Sequence, residues 1–187
     1  MTQEEVVGRV IEALQQLDVP YMVAGSFASN LHGVPRMTQD ADLVVDLEER
    51  TARSLVELLE PEFYVSVDVA LEAVQQRRLL NAIHLDTGFK IDLVIKKSRP
   101  FSAEELDRRE PGLLAGQQVA FATAEDTILA KLEWAKLGDS ERHYGDAIGI
   151  VQVQGQRLDW PYLERWADAL GVVDLLGRVR RGEPFRG

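Results

Sequence analysis

Between Met22 and Leu47 the chain reads MVAGSFASNLHGVPRMTQDADLVVDL: an apolar strand, a Gly-Ser step, a short helical stretch, a loop, and a second apolar strand opening on two carboxylates one residue apart. This order constrains the fold more than any other stretch. Side chains alternate faces along a strand, so Asp40 and Asp42 project to the same side while Ala41 and Leu43 project to the other. Two carboxylates on one face of an apolar strand need solvent at the strand end, a partner or a cation.

The rest of the chain alternates helical and strand patterns around that core. Val6, Val7, Val10, Ile11 and Leu14 recur at helical spacing, so a helix opens the chain and stops near LDVP, and YMVAG follows as a buried strand. A helix begins at Ser26 and runs through Leu31, Gly33 closes it, and VPRMTQ loops into the strand DADLVVDL. ERTARSLVELLE is amphipathic and helical, FYVSVDV alternates in part, and a further helix covers ALEAVQQRRLL. NAIHLD and FKIDLVIKK are strand patterns flanking Asp86-Thr87-Gly88, a turn suited to a hairpin. SAEELDRRE is a short helix with a Ser cap and Glu105 at capping-box spacing, and QQVAFAT is a last strand. From TAEDTILAKLEWAKLG onward only helices are expected: that one, ERHYGDAIGIVQVQ, and WPYLERWADALGVVDLLGRVR. The expectation is an α/β (α+β) core over 1–122 with a mixed sheet, and a helical region over 123–187 packed on it.

Composition narrows the chemistry. With 187 residues, 45% hydrophobic and 28% charged, the chain has the make-up of an ordinary globular protein with a genuine core. It has no cysteine, so thiolate metal ligation and disulfides are excluded, and a metal would be a hard cation on oxygen ligands or sit on the three histidines. His32, His84 and His143 fall on different elements without metal-ligand spacing, which argues against zinc. The N-terminus lacks a basic stretch followed by an apolar one, and no apolar run is long enough to span a bilayer, so the expected location is cytoplasmic, with no membrane partner. A net charge of −10 opposes broad non-specific binding of nucleic acid. The most basic stretch, GRVRRGEPFRG, reads as a cation-favoured helix end.

A third carboxylate, Asp92 in FKIDLVI, lies inside an apolar strand. If that strand neighbours DADLVV, Asp40, Asp42 and Asp92 form an anionic cluster whose self-repulsion a divalent cation would relieve, and hard oxygen ligands select Mg²⁺ or Mn²⁺. Gly25-Ser26 stands between a strand and a helix start, where glycine permits close backbone approach and free N–H groups face an anion. Carboxylates holding two cations roughly 3.5–4 Å apart, with a phosphate-binding turn, suit in-line displacement at a nucleotide phosphorus.

These residues resemble the DNA polymerase beta-like nucleotidyltransferase superfamily. Gly25-Ser26, Asp40-Ala41-Asp42 and the later Asp92 match its signature. GSFASNLHGVPRMTQDADLVV, with Gly33, Arg36 and Thr38 before the aspartates, is most similar to the subgroup related to AbiEii-type toxin components, as is the helical tail from Glu125. The resemblance implies metal-dependent transfer of a nucleoside monophosphate from an NTP. Asp40, Asp42 and Asp92 would act as ligands and catalytic residues, Gly25, Ser26, Arg36, Thr38 and Lys131 would bind nucleotide, and Lys131, Arg142 or Asp146 would line the site. The acceptor it implies is an RNA, protein or small-molecule hydroxyl, and an antitoxin is an implied partner. One departure stands out: Ala28, Ser29 and Asn30 fill the region where many active small members carry a basic residue, which implies either Arg36 as the substitute or weak triphosphate binding.

Plainer readings remain beside these. Gly25-Ser26 is also a common turn or N-cap, and Asp92 could be satisfied by Lys90 or Arg36 in a structural ion pair. Lys131 would ordinarily be a solvated helix residue, and Arg142 and Asp146 at i,i+4 a surface pair. Trp160, Tyr162 and Trp166, at helical spacing, read as packing more than as a base-stacking platform. The rival function is a non-catalytic member that keeps the fold and serves as a binding or interaction protein.

Overall fold

The computed structural model describes residues 1–138 and 140–185. Asp139 and the last two residues of the basic C-terminal stretch, Arg186 and Gly187, lie outside the described residues. Nine α-helices occur among the described residues: α1 (Gln3–Gln16), α2 (Gly25–His32), α3 (Glu49–Leu59), α4 (Val67–Gln76), α5 (Pro100–Asp107), α6 (Ala124–Gly138), α7 (Glu141–Gln154), α8 (Trp160–Leu170) and α9 (Val173–Arg180). The strands are β1 (Tyr21–Ala24), β2 (Asp40–Val45), β3 (Phe63–Tyr64), β4 (Leu79–His84), β5 (Lys90–Ile95), β6 (Glu110–Leu114) and β7 (Gln117–Phe121). The chain divides into two compact units, one of Met1–Ala24 and Thr38–Phe121, the other of Gly25–Met37 and the described residues from Ala122 onward.

The first unit holds all seven strands in one mixed sheet, ordered β3-β4-β5-β2-β1-β7-β6. β2 is central, antiparallel to β1 and parallel to β5, and the expected hairpin about Asp86-Thr87-Gly88 joins β4 to β5. The two-residue period sorts the central strands: Ala41, Leu43 and Val45 of β2 and Ile91, Leu93 and Ile95 of β5 are fully buried. The other face of the same strands carries Asp40, Asp42, Lys90 and Asp92. Helix α1 buries its stripe of Val6, Val7, Val10, Ile11 and Leu14 completely, each such side chain contributing about 1.5–3 kcal/mol. A capping box starts it: Thr2 Oγ1 accepts the Glu5 N–H at 3.2 Å, and the Glu5 carboxylate accepts the Thr2 N–H at 2.7 Å.

Several boundaries differ from expectation. FYVSVDV gives only the two strand residues of β3 before α4 begins at Val67, three residues ahead of the expected helix. That helix stops at Arg77, which adopts a left-handed conformation (φ 49°), and Leu79 and Leu80 then pass into β4. α5 starts with Pro100 in its first turn after Arg99, not with a Ser cap; Ser102 is inside the helix and accepts a hydrogen bond from Arg99 Nε at 3.0 Å. β6 was not expected, because Pro111 and Gly112 disfavour a strand; it lies at the sheet edge, where proline is tolerated.

The second unit is helical. The single long helix expected after Asp159 is two, α8 and α9, divided at Gly171 in the left-handed region (φ 67°). Asp126 is 1% exposed and held by Thr123 Oγ1 (2.7 Å) and the Tyr162 hydroxyl (2.5 Å), so Tyr162 is a packing residue with a hydrogen-bonded tip. Arg180 covers the Trp160 ring and Arg165 the Trp166 ring. Gly33 does more than close α2: a Cβ there would stand 2.8 Å from the Ile150 backbone nitrogen of α7, so the close passage of the two segments demands glycine. His32 reinforces the passage, its Nε2 lying 2.7 Å from the Ala122 carbonyl oxygen while its own carbonyl accepts from Gln154 at 2.6 Å.

Candidate active site

The anionic face of the sheet follows directly from strand register. Asp42 pairs with Asp92 across the parallel β2–β5 ladder, and Asp40 pairs with Lys90, so all four side chains share one face. Thr38, at the entry to β2, places its Oγ1 2.8 Å from the Asp40 carbonyl oxygen and 3.1 Å from its carboxylate, fixing the first aspartate where the strand begins. Asp92 is the most enclosed of the set, with 10% side-chain exposure against 33% for Asp40.

Two further residues complete this face. Lys90 Nζ donates to Asp92 Oδ2 at 2.7 Å and lies 3.8 Å from Asp40 Oδ2. Asn81, opposite Asp92 across the β4–β5 hairpin, donates its amide to Asp92 Oδ1. The hydrogen bond to Asp92 and the charges of Asp92, Asp40 and Asp42 hold the Lys90 ammonium above its ordinary pKa, against the smaller opposing effect of burial. Lys90, one of the two partners expected for Asp92, is in place. Asn81 was missed from the sequence, although counting outward from the Asp86-Thr87-Gly88 turn would have set it against Asp92.

The remaining predicted residues belong to the helical unit. Gly25 opens α2 at φ 55°, a conformation that glycine adopts without a steric penalty. Ser26 is 2% exposed, and its carbonyl accepts from Ser29 Oγ at 3.1 Å. Arg36 and Lys131 converge on Asp146: the guanidinium binds it two-pronged at 2.7 and 2.8 Å, and Lys131 Nζ donates at 2.7 Å. Lys131 is therefore buried, not solvated, and Asp146 pairs with Arg36 and Lys131 in place of the expected Arg142. Asn30 clasps the Arg36 backbone from both sides, donating to its carbonyl at 2.8 Å and accepting its N–H at 3.0 Å. Burial raises the Asp146 pKa, but the hydrogen bonds and charges of Arg36 and Lys131 outweigh it and hold the carboxyl below its ordinary range. Burial and the charge of Lys131 lower the pKa of nearby His143, while Asp146 acts the other way.

No protein-family model matches the chain, and no curated protein matches it. Solved structures do. The solution structure of the antibiotic-resistance factor ANT(2'')-Ia is similar with a TM-score of 0.60 at 16% identity, over 94% of this chain and 97% of that one. An antigenic nucleotidyltransferase-like protein from Paracoccidioides brasiliensis gives 0.56 at 14% identity, over 99% and 95% of the two chains. The lincosamide antibiotic adenylyltransferase LnuA, with lincomycin bound, gives 0.53 at 12% identity, over 82% and 98%. The chain has a nucleotidyltransferase fold.

On this nucleotidyltransferase fold the three aspartates supply hard oxygen donors, whose chemistry fits Mg²⁺ or Mn²⁺, beside the Lys90 ammonium and the Asn81 amide. As placed, Asp92 and Asp40 face the Lys90 ammonium. Among the described residues no three His, Asp or Glu groups converge in metal-holding geometry. Nor is any described helix long and apolar enough to cross a membrane.

Proposed function

We propose that the chain is a metal-dependent nucleotidyltransferase that moves a nucleoside monophosphate from an NTP to an acceptor hydroxyl, breaking the bond between the α- and β-phosphates and releasing pyrophosphate. The observation that carries this reading is the register of β2 and β5, which sets Asp42 beside Asp92 and puts Asp40 on the same face of a nucleotidyltransferase fold. In this reading Asp40 and Asp42 would hold both Mg²⁺ or Mn²⁺ ions, Asp92 would hold the catalytic ion and assist loss of the hydroxyl proton, and Thr38 fixes Asp40. A bound divalent ion would neutralise phosphate charge and favour the deprotonated acceptor. Gly25 and Ser26 take the role of a phosphate-binding turn, with Arg36 and Lys131 as assigned cations. Residues 1–122 are the proposed catalytic core and 123–187 the accompanying helical region.

The acceptor to test first is a small-molecule hydroxyl. ANT(2'')-Ia, solved in complex with adenylyl-2''-tobramycin, and LnuA, solved with lincomycin, match over nearly their whole length. RNA or protein hydroxyls, and a toxin-like role with an antitoxin partner, are the alternatives within the same chemistry. A second reading, a non-catalytic binding or interaction protein, is favoured by one observation: Lys90 already pairs with Asp92 and lies 3.8 Å from Asp40.

The test is incubation with each labelled NTP and Mg²⁺ together with aminoglycosides, lincosamides, or RNA and protein fractions of a bacterial lysate. Label should move to one acceptor class with wild type and not with Asp40→Ala, whose thermal midpoint should stay near wild type. Equal labelling by Asp40→Ala would refute the assigned roles. Absence of both labelling and metal-dependent nucleotide binding would favour the interaction protein.

A further inference from the structure

We infer that Lys90 is a built-in competitor for the cation site, an internal counter-ion that a divalent metal must displace before the aspartates can close on it. The inference rests on the metal-dependent reading above and concerns how readily that site loads. Its geometry is specific. The ammonium is 2.7 Å from Asp92 Oδ2 and 3.8 Å from Asp40 Oδ2, so it engages two of the three proposed ligands. Asn81 holds the other oxygen of Asp92, leaving Oδ2 as the oxygen that Lys90 and a metal would share.

Its environment permits release. The Lys90 side chain is 39% exposed while that of Asp92 is 10% exposed, so the lysine can swing into water on its flexible stem and the aspartate stays in place. Without metal, the ammonium is a direct counter-charge for Asp92 and lies close to Asp40. With metal, a divalent ion would take over that counter-charge and leave the Lys90 ammonium free to turn toward solvent. Loading is thus an exchange of one cation for another, and the apparent affinity for metal is lowered by the stability of the lysine contact.

The test is direct Mn²⁺ binding, read from the loss of the free-ion EPR signal on titrating the full chain without nucleotide. Wild type is compared with Lys90→Met, Lys90→Gln and Asp42→Asn. Lys90→Gln keeps a hydrogen-bond donor toward Asp92 and removes only the charge, which guards against misfolding of the methionine variant. Displacement of one charge-assisted hydrogen bond to a partly exposed lysine predicts about tenfold tighter binding in both Lys90 variants, equivalent to roughly 1.4 kcal/mol. Both variants should also melt lower than wild type without metal and gain more in thermal midpoint as Mn²⁺ is added. Tightening in both, lost again when Asp42→Asn is added, supports the exchange. Equal affinity in wild type and the Lys90 variants, still abolished by Asp42→Asn, overturns the competitor while leaving the metal site intact. Weaker binding in both variants also overturns it, making Lys90 a support for Asp92. No Mn²⁺ binding by any form overturns both the exchange and the metal-dependent reading.

Discussion

Replacing Asp146 by Asn probes the strongest charge cluster in the helical unit. The Asp146 carboxylate has 7% side-chain exposure and accepts three charge-assisted hydrogen bonds, two from Arg36 and one from Lys131. Lys131 also has 7% side-chain exposure, whereas Arg36 has 26% and can recover water. Neutralising the carboxylate therefore leaves one buried ammonium without its counter-charge. Breaking a buried pair from one side costs about 3–5 kcal/mol, and the retained amide oxygen and the partial exposure of Arg36 place this case near the lower end, about 3 kcal/mol. All three tryptophans, Trp134, Trp160 and Trp166, lie in this unit, so urea unfolding followed by their fluorescence reports on it selectively. With a urea slope of about 2 kcal/mol/M the midpoint should fall by about 1.5 M at unchanged slope. Adding Lys131→Met to Asp146→Asn should recover most of the loss, because no buried charge then remains unpaired. A loss under about 1 kcal/mol in the single variant, or additive losses in the double, would refute the assignment of Asp146 as the charge that keeps Lys131 inside.

The same carboxylate sets an acid limb. Its folded pKa is depressed, so its stabilisation is full above the ordinary carboxylate value of about 4 and fades as pH falls through the lower folded value; Asp146→Asn should flatten the wild-type stability–pH curve in that acidic window, as measured by urea midpoints at stepped pH. Gly33→Ala should cost about 1–3 kcal/mol, since its Cβ would meet the Ile150 backbone at 2.8 Å, and a melting temperature unchanged from wild type would count against the close passage. Tyr162→Phe should cost about 1–3 kcal/mol by leaving buried Asp126 one donor short, a loss read by the same fluorescence titration, and a neutral result would mean that Thr123 suffices.

Local signals in the sequence were reliable where they carried a physical rule. Period-two alternation put Asp40 and Asp42 on one face, and the Asp86-Thr87-Gly88 turn placed the β4–β5 hairpin. The same alternation puts Lys90 beside Asp92, so the lysine partner was legible as one of two candidates. The partner of Arg36 was not legible, because Asp146, which binds it, stands 110 positions away in the chain. Non-local packing likewise buried Lys131, whose sequence context is that of an exposed helix face. Arg77 ends α4 in a left-handed conformation without the glycine or asparagine that usually marks it, so the helix was extended into residues that belong to β4. The pairing of Asp42 with Asp92 depends on the parallel register between strands 50 residues apart, which no local pattern encodes.

β2 is the fourth of seven strands, with β1 bonded along one side and β5 along the other. A strand so enclosed exchanges its amide hydrogens only when the whole sheet opens, whereas rim strands such as β3 and β6 can fray independently. The scaffold beneath the aspartates is thus the slowest-moving part of the sheet, and any adjustment to an incoming ligand falls to side-chain rotation on a picosecond-to-nanosecond timescale.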